Sequence, residues 1–185
     1  IEFDSVEEIN TTLPSRKFLD ILKSLPGSEE VTIEIEDTKA TIKSGKSRFV
    51  LATLPGSDFP YQEIQTTYDH KVSAEVLDTL ISQTAFSMAV QDARHFLNGL
   101  FFEVSSSRIT VVATDGHRLS MSASDQDNSG EKTSCIIPRK CIIEIKRILS
   151  SFKDNKELLV DFSITKTDFY IKIDQYMIKS KLIEG

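Results

Sequence analysis

An internal repeat is the feature of this sequence that most constrains how the chain can fold. Residues 14–23 align without gaps on residues 138–147, and each segment begins with a proline. Proline is favoured at the first position of a helix, where its missing N–H leaves no hydrogen bond unmade. Apolar residues then recur at helical spacing in both segments: Phe18, Leu19, Ile21 and Leu22 in the first, and Ile142, Ile143, Ile145 and Leu149 in the second. The repeat predicts two equivalent amphipathic helices.

The likeness continues in the segments that follow each helix. Residues 31–36 and 158–163 both alternate apolar and polar side chains, as half-buried strands do. Residues 41–56 parallel residues 170–185, with the offset grown from 124 to 129 by longer loops. A helix and three strands in the same order predict a duplicated unit. Because the second copy stops at the position equivalent to Gly56, and the chain begins without methionine, we expect both ends to be cut from a longer protein.

The middle of the chain predicts one more helix and further strands. Ser73 is a favourable N-cap for a helix over 74–83, in which one apolar stripe is formed by Val76, Leu77, Leu80 and Ile81. Three strands follow, over residues 98–104, 108–114 and 117–123. Asp115 and Gly116 between the last two strands predict a two-residue type I′ turn, which needs a positive φ at both positions. The whole pattern predicts an α+β fold with antiparallel sheets and two helices covering one face.

The charge balance limits the possible partners. The 185 residues include 22 basic and 28 acidic side chains, which gives a net charge of −6. A uniformly basic nucleic-acid coat protein is therefore excluded, whereas a protein that binds nucleic acid through one local basic face is not. The uninterrupted apolar runs are only a few residues long, so the sequence offers no membrane span of about 20 residues.

The two cysteines, Cys135 and Cys141, are six residues apart and do not have the spacing of a metal site. The three histidines are far from this pair in the sequence. We therefore predict that both cysteines are reduced thiols in the core of a cytosolic protein.

Few side chains suggest catalysis or a bound cofactor. Asp92, His95, Asp115 and His117 form the only cluster that resembles an active site. A carboxylate at a hairpin turn usually binds its own backbone, which favours a structural role for Asp115. The glycines do not have the spacing of a phosphate-binding loop, so we expect neither a cofactor nor a metal.

Basic side chains are concentrated in two segments. Residues 39–48 contain four basic residues and no acid, and residues 139–156 contain six basic residues against two acids. Such runs are most often solvated faces. Because basic residues recur on the first of the two repeated helices, a surface that follows DNA phosphates is the second interpretation.

Residues 112–119 read Val-Ala-Thr-Asp-Gly-His-Arg-Leu, which is closely similar to the signature hairpin of the bacterial DNA polymerase III β subunits, the sliding clamps. Six further motifs resemble the same family, in the family's order along the chain. They lie at residues 13–17, 44–49, 54–60, 91–99, 137–140 and 180–185. The resemblance therefore extends over the whole chain.

The resemblance implies a fold, an assembly and a function. Clamps of this family have three similar domains per chain, each with two helices packed on antiparallel sheets. By resemblance, residues 1–67 are the C-terminal half of the first domain and residues 68–185 nearly all of the second, with the third absent. Two full-length chains close head to tail into a homodimeric ring around duplex DNA. The implied protein is a non-catalytic processivity factor of a replicative polymerase, located in a bacterial cytoplasm and at the nucleoid during replication.

Three sets of site residues follow from the resemblance. A pocket for peptide motifs of the replicative polymerase, the clamp loader and repair polymerases matches Leu97, Thr114, Gly116, His117, Arg118 and Leu119. A surface facing duplex DNA, without sequence preference, matches Gln91, Arg94, His95, Phe96, Arg139 and Lys140. A ring-closing dimer face matches Lys17, Ile21, Lys39, Lys46 and Arg48. We expect Leu97 to be a partly buried wall of the pocket, and the pocket to be incomplete in this chain.

Two other function classes remain alternatives. A protein-interaction module built from the same duplicated unit would lack the pocket around Leu97 and His117. A hydrolase would need the carboxylates and imidazoles at positions 92, 95, 115 and 117 within hydrogen-bond or metal-ligand reach of one another. The geometry of these side chains discriminates between the alternatives.

Overall fold

The computed structural model describes residues 9–27, 30–61, 64, 67–127 and 131–184. The chain divides into two units, Ile1–Gln62 (unit 1) and Glu63–Gly185 (unit 2). Both units combine helix with antiparallel strands, and this confirms the predicted α+β class. No helix within the described ranges is long and apolar enough to span a membrane.

Unit 1 contains helix α1 (Ser15–Ser24) and two small sheets. Its strands are β1 (Thr11–Thr12), β2 (Thr32–Glu36), β3 (Lys39–Ser44), β4 (Ser47–Ala52) and β5 (Leu54–Pro55). Strands β2, β3 and β4 pair in that order, so β4 lies at an edge of its sheet, while β1 pairs with β5. A 3₁₀ turn over Gly56–Asp58 follows β5.

Unit 2 contains helices α2 (Ala74–Ser82) and α3 (Arg139–Ser150) and two four-stranded antiparallel sheets. The first sheet has the order β10-β7-β8-β9, with β7 (Gly99–Val104), β8 (Arg108–Thr114), β9 (Leu119–Asp125) and β10 (Thr133–Pro138). The second has the order β13-β12-β11-β6, with β6 (His70–Ser73), β11 (Leu159–Ile164), β12 (Asp168–Ile173) and β13 (Tyr176–Lys181). Both helices and both sheets contribute side chains to one hydrophobic core.

The predicted repeat is present in the backbone. Strands β12 and β13 follow β3 and β4 at an offset of 129 residues at both ends. Equivalent hydrogen bonds close the two hairpins: Thr53 N–H donates to the Thr38 carbonyl at 2.8 Å, and Leu182 N–H donates to the Thr167 carbonyl at 2.9 Å. The prolines precede α1 and α3 by one residue, so they are N-caps rather than the first helical residues that we predicted.

The repeated helices differ in burial. Helix α3 buries Cys141, Ile142, Ile145, Ile148 and Leu149, whereas no residue of α1 is buried in the part of the chain that the structure describes. Two apolar residues of the predicted stripes are also exposed: Leu19 by 50% and Ile143 by 48%. They occupy equivalent positions in the repeat, outside the buried side of α3, so assigning them to the core stripe was wrong.

Helix α2 begins as predicted. The Ser73 hydroxyl accepts a hydrogen bond from the Val76 N–H at 3.2 Å, which satisfies one of the unpaired donors of the first helical turn. The helix ends at Ser82, one residue before the predicted end, and Gln83 is its C-cap. Its buried residues are Ala74, Leu77, Leu80 and Ile81, and Val76 is half-buried.

Candidate DNA-facing and peptide-binding surfaces

The loop between β8 and β9 is organised by one carboxylate. Asp115 Oδ1 accepts hydrogen bonds from the backbone N–H groups of His117 and Arg118, both at 3.0 Å. Its Oδ2 accepts from Arg118 Nε at 3.2 Å. The backbone donor of Arg118, followed by that of His117, lowers the pKa of Asp115. Thr114 Oγ1 accepts from the Gly116 N–H at 3.1 Å and donates to the Arg118 carbonyl at 2.7 Å.

This geometry corrects the predicted hairpin turn. Thr114 pairs with Leu119, so the loop contains four residues rather than two. Gly116 has a φ of +88°, whereas Asp115 is not among the residues with positive φ. The carboxylate that binds two successive backbone donors makes the larger loop stable, and β9 consequently begins at Leu119 instead of His117.

Arg118 connects this loop to the segment that follows α2. Its Nη2 donates to the Phe86 carbonyl at 2.8 Å, and its guanidinium lies 5.7 Å from the centre of the Phe86 ring. The hydroxyls of Ser87, which follows Phe86, and of Ser120 are 2.7 Å apart. Phe86 is 58% exposed and Leu119 is 64% exposed. An arginine and two accessible apolar side chains therefore lie beside one loop.

Leu97 is more deeply buried than we expected. Its side chain is only 6% exposed, so it is a buried residue and not a partly buried pocket wall. Its N–H donates to the Arg94 carbonyl at 2.9 Å, and its carbonyl accepts from the Ala89 N–H at 3.0 Å. Leu97 thus fixes the segment that carries the predicted DNA-facing residues.

Asp92 and Arg94 form the best-defined ion pair of that segment. Asp92 Oδ1 accepts from the Arg94 N–H at 2.8 Å and from its Nε at 3.1 Å, and Oδ2 accepts from Nη2 at 3.0 Å. The Arg94 side chain lowers the pKa of Asp92 to about 2. The Asn98 side chain makes two hydrogen bonds with the backbone of Asp92. Its Oδ1 accepts from the Asp92 N–H at 2.9 Å, and its Nδ2 donates to the Asp92 carbonyl at 2.8 Å.

Arg94 also contacts the β8–β9 loop. A Cβ atom added at Gly116 would lie 3.0 Å from Arg94 Nη2, which together with the positive φ favours glycine there. The structure therefore brings a predicted DNA-facing residue against a predicted pocket residue. Gln91, His95 and Phe96 are exposed on the same segment.

The hydrolase alternative finds no support in this geometry. Asp92 is bound by Arg94, and Asp115 is bound by its own loop, so both carboxylates are engaged as structural acceptors. Across the described ranges, His, Cys, Asp and Glu side chains form no group of three or more that could hold a metal ion. Cys135 and Cys141 are buried free thiols, as predicted, and burial raises their pKa values to about 12 and about 11.

Helix α3 presents basic residues along its solvent side. Arg139 is half-buried and Lys140 exposed at its first turn, which contains no acidic residue. Lys146 and Arg147 continue the exposed side, and Arg147 pairs with Glu144 at 2.8 Å. A helix N-terminus carries partial positive charge, so cations at this position cost stability. Helix α1 likewise begins without an acid in its first turn.

The residues predicted for a ring-closing face lie on three elements of unit 1. Lys17 and Ile21 belong to α1, Lys39 begins β3, and Lys46 and Arg48 belong to the β3–β4 hairpin. All four cations are exposed and Ile21 is half-buried. The sequence reasoning did not include Val50, which is 54% exposed on the edge strand β4. Because side chains alternate between the two faces of a strand, the register of β4 would have identified Val50 as an outward-facing residue.

Both parts of the chain match one protein family. Residues 1–64 match the DNA polymerase III beta subunit, N-terminal domain, and residues 71–185 match its central domain. The chain belongs to the DNA polymerase III beta subunit family. The resemblance predicted from the motifs at residues 112–119 and elsewhere is thereby confirmed.

Beta-subunit relatives are similar along nearly all of this chain. The beta sliding clamp of Proteus mirabilis is 39% identical over 176 residues, which cover 95% of this chain and 47% of the relative. The beta sliding clamp of Escherichia coli K12 is 36% identical with the same coverage. The crystal structure of the DNA polymerase III subunit beta from Pseudomonas aeruginosa matches with a TM-score of 0.88 and 36% identity, covering 99% of this chain and 50% of that chain. The chain thus spans about half the length of these relatives.

Proposed function

We propose that the protein carrying this chain is a replication processivity clamp, a ring that encircles duplex DNA and tethers a polymerase without catalysis of its own. The observation that carries the proposal is the match of both units to consecutive domains of the beta subunit family, whose relatives are named beta sliding clamps. In this proposal residues 1–67 are half of the first clamp domain and residues 68–185 are the second.

The DNA surface of the proposed clamp includes the start of α3 and the segment before β7. Its residues are Gln91, Arg94, His95, Phe96, Arg139 and Lys140. The cations in the first turn of α3 support this assignment, because they are unfavourable for the helix itself and suit a phosphate backbone. Arg94 would contribute less than Arg139 and Lys140, since its charge is already paired with Asp92.

The peptide site of the proposed clamp is the β8–β9 loop with its neighbours. Thr114, Gly116, His117, Arg118 and Leu119 would contact motifs of the replicative polymerase, the clamp loader and repair polymerases. The exposed Leu119 and Phe86 beside Arg118 support this assignment, since apolar anchors with a few polar groups suit short peptides. Leu97 would act indirectly, as the buried support of this surface.

The ring interface of the proposed clamp is the exposed edge of unit 1. Lys17, Ile21, Lys39, Lys46 and Arg48 would meet an acidic edge of a second chain. Among the described residues β4 pairs only with β3, and this supports the assignment, because an open strand edge is available for pairing with another chain. The proposal places the homodimeric ring in the bacterial cytoplasm, at the nucleoid during replication.

The ring is tested by topology. The full-length protein is loaded onto a nicked circular plasmid by its clamp loader, and the plasmid is then linearised. We expect retention on the circle and rapid loss from the linear DNA, because a ring slides off free ends. Equal retention on both forms would contradict encirclement, and peptide binding without retention on circles would favour a non-clamp interaction module.

The DNA-facing residues are tested by salt dependence. The double variant Arg139→Ala and Lys140→Ala should weaken DNA contact similarly for all sequences and reduce the salt slope by about two. Lys172→Ala, on the outer face of the second sheet of unit 2, is the matched control. If the loss of DNA affinity depended on the base sequence, these residues would not act through phosphate contacts.

A further inference from the structure

The outer face of the first sheet of unit 2 carries a continuous row of apolar side chains. Residues paired directly across neighbouring strands share one face, and the register joins Ile136 to Phe101, Phe101 to Val112, and Val112 to Met121. Leu119, two residues before Met121, lies on the same face. Met121 and Leu119 are 63% and 64% exposed, and the other three are half-buried. We call these five residues the outer apolar track.

The second sheet of unit 2 has a mainly charged row at the corresponding place, as a solvated sheet normally shows. Its corresponding row joins Met177 to Lys172, Lys172 to Asp161, and Asp161 to Lys71. Lys71 and Asp161 form an ion pair at 3.2 Å. The apolar row of the first sheet is therefore not a general property of this unit. A contiguous apolar row with two exposed members is a candidate interaction surface.

The outer apolar track connects two features of the surface. At one end, Leu119 adjoins the loop that Asp115 organises. At the other end, Ile136 and Phe101 line a cavity of about 740 Å³, a size that holds a few side chains. Three strand spacings separate β9 from β10, so the track is about 14 Å long, the span of four or five extended residues.

The cavity also has a basic rim. Lys166 and Lys181 both line it, against the single carboxylate of Glu184. Lys181 pairs with Asp168 at 3.0 Å, while no carboxylate of the described residues is within ion-pair distance of Lys166. Lys166 is exposed, so its charge is available to an acidic ligand group.

We propose that the outer apolar track binds an extended continuation of the partner peptide that contacts the β8–β9 loop. Apolar side chains of this continuation lie over Val112 and Phe101, and an acidic side chain binds Lys166 at the cavity. The inference rests on the peptide-binding part of the proposed function and names the chemistry of the partner: a motif flanked by about five residues with alternating apolar side chains and a terminal acid.

The test uses three peptides and the full-length protein that carries this chain, with affinities measured by calorimetry. One peptide carries the clamp-binding motif of the polymerase, and the other two carry the extension Leu-Ser-Leu-Ser-Asp, or its reverse, so that the acid lies outermost at the C-terminal or the N-terminal end. We expect one extended peptide to bind at least tenfold more tightly than the motif alone, about 1.4 kcal/mol. Met121→Gln and Lys166→Glu should each remove most of that gain.

The second sheet provides matched controls. Met177→Gln changes another exposed methionine of an edge strand, and Lys172→Glu reverses another exposed charge, so both should keep the gain. The proposal that the outer apolar track binds the extension is wrong if neither extension improves the affinity, or if the gain in affinity persists in both test variants. If an extended peptide binds and the peptide with the motif alone does not, the β8–β9 loop is not the peptide site, whereas binding at the outer apolar track is still supported. If no peptide binds, the peptide site and the track both fail.

Discussion

Truncation of Leu97 distinguishes a buried support from a pocket wall. Leu97→Ala removes a side chain that is 6% exposed, whereas Leu119→Ala removes the same side chain at a position that is 64% exposed. The backbone hydrogen bonds of Leu97 do not involve its side chain, so they should persist. The substitution therefore measures the burial of one leucine.

The expected cost follows from that burial. Leucine-to-alanine changes at buried sites cost about 2–5 kcal/mol, and we expect about 3 kcal/mol here. Unit 2 spans residues 63–185, and unfolding entropies of about 2.1 cal/mol/K per residue give roughly 260 cal/mol/K for it. The unfolding midpoint of unit 2 should accordingly fall by about 12 °C. Leu119→Ala should lower it by no more than about 2 °C.

Differential scanning calorimetry of the two variants provides the measurement, and peptide titration at 20 °C provides the functional comparison. Leu119→Ala should weaken a clamp-binding peptide about tenfold, since it removes an exposed anchor from a folded surface. The reasoning is refuted if Leu97→Ala changes the midpoint by less than about 3 °C, or if Leu119→Ala destabilises the unit as strongly.

Three further predictions concern unit 2. Ser73→Ala should lower its free energy of unfolding in urea by about 1 kcal/mol through loss of the α2 cap, whereas Ser73→Asp should leave it nearly unchanged. Burial lowers the pKa of His70, which stacks on Phe162 at 5.0 Å, so the unfolded state binds the proton more readily. Stability should therefore fall as the pH drops below about 6.5, and His70→Phe should lose this part of the pH dependence in urea titrations. Cys135 and Cys141 should react with iodoacetamide slowly in the native protein at pH 8 and rapidly in denaturant, as followed by mass spectrometry, because burial raises both thiol pKa values.

The β8–β9 loop shows where local sequence reasoning ends. The Asp-Gly pair correctly marks a turn between two strands, but it predicted a loop half the observed length. Asp115 stabilises the observed four-residue loop through the N–H groups of His117 and Arg118. Arg118 then holds this loop against the segment after α2, because its guanidinium binds the Phe86 carbonyl 32 residues away. A contact over that distance in the chain has no local pattern, so the position of the loop could not be predicted from the Asp-Gly pair.

The sequence by itself determined the repeat, the starts of α1, α2 and α3, and the alternation of the strands. These features are encoded within a few residues, because proline, an N-cap serine and apolar periodicity act on the backbone next to them. The burial of Leu97, the contact of Arg94 with Gly116 and the outer apolar track were decided by the tertiary structure. Each depends on strand register or on packing between distant segments, and apolar residues on the two faces of a strand differ in burial only once the sheet has a core on one side.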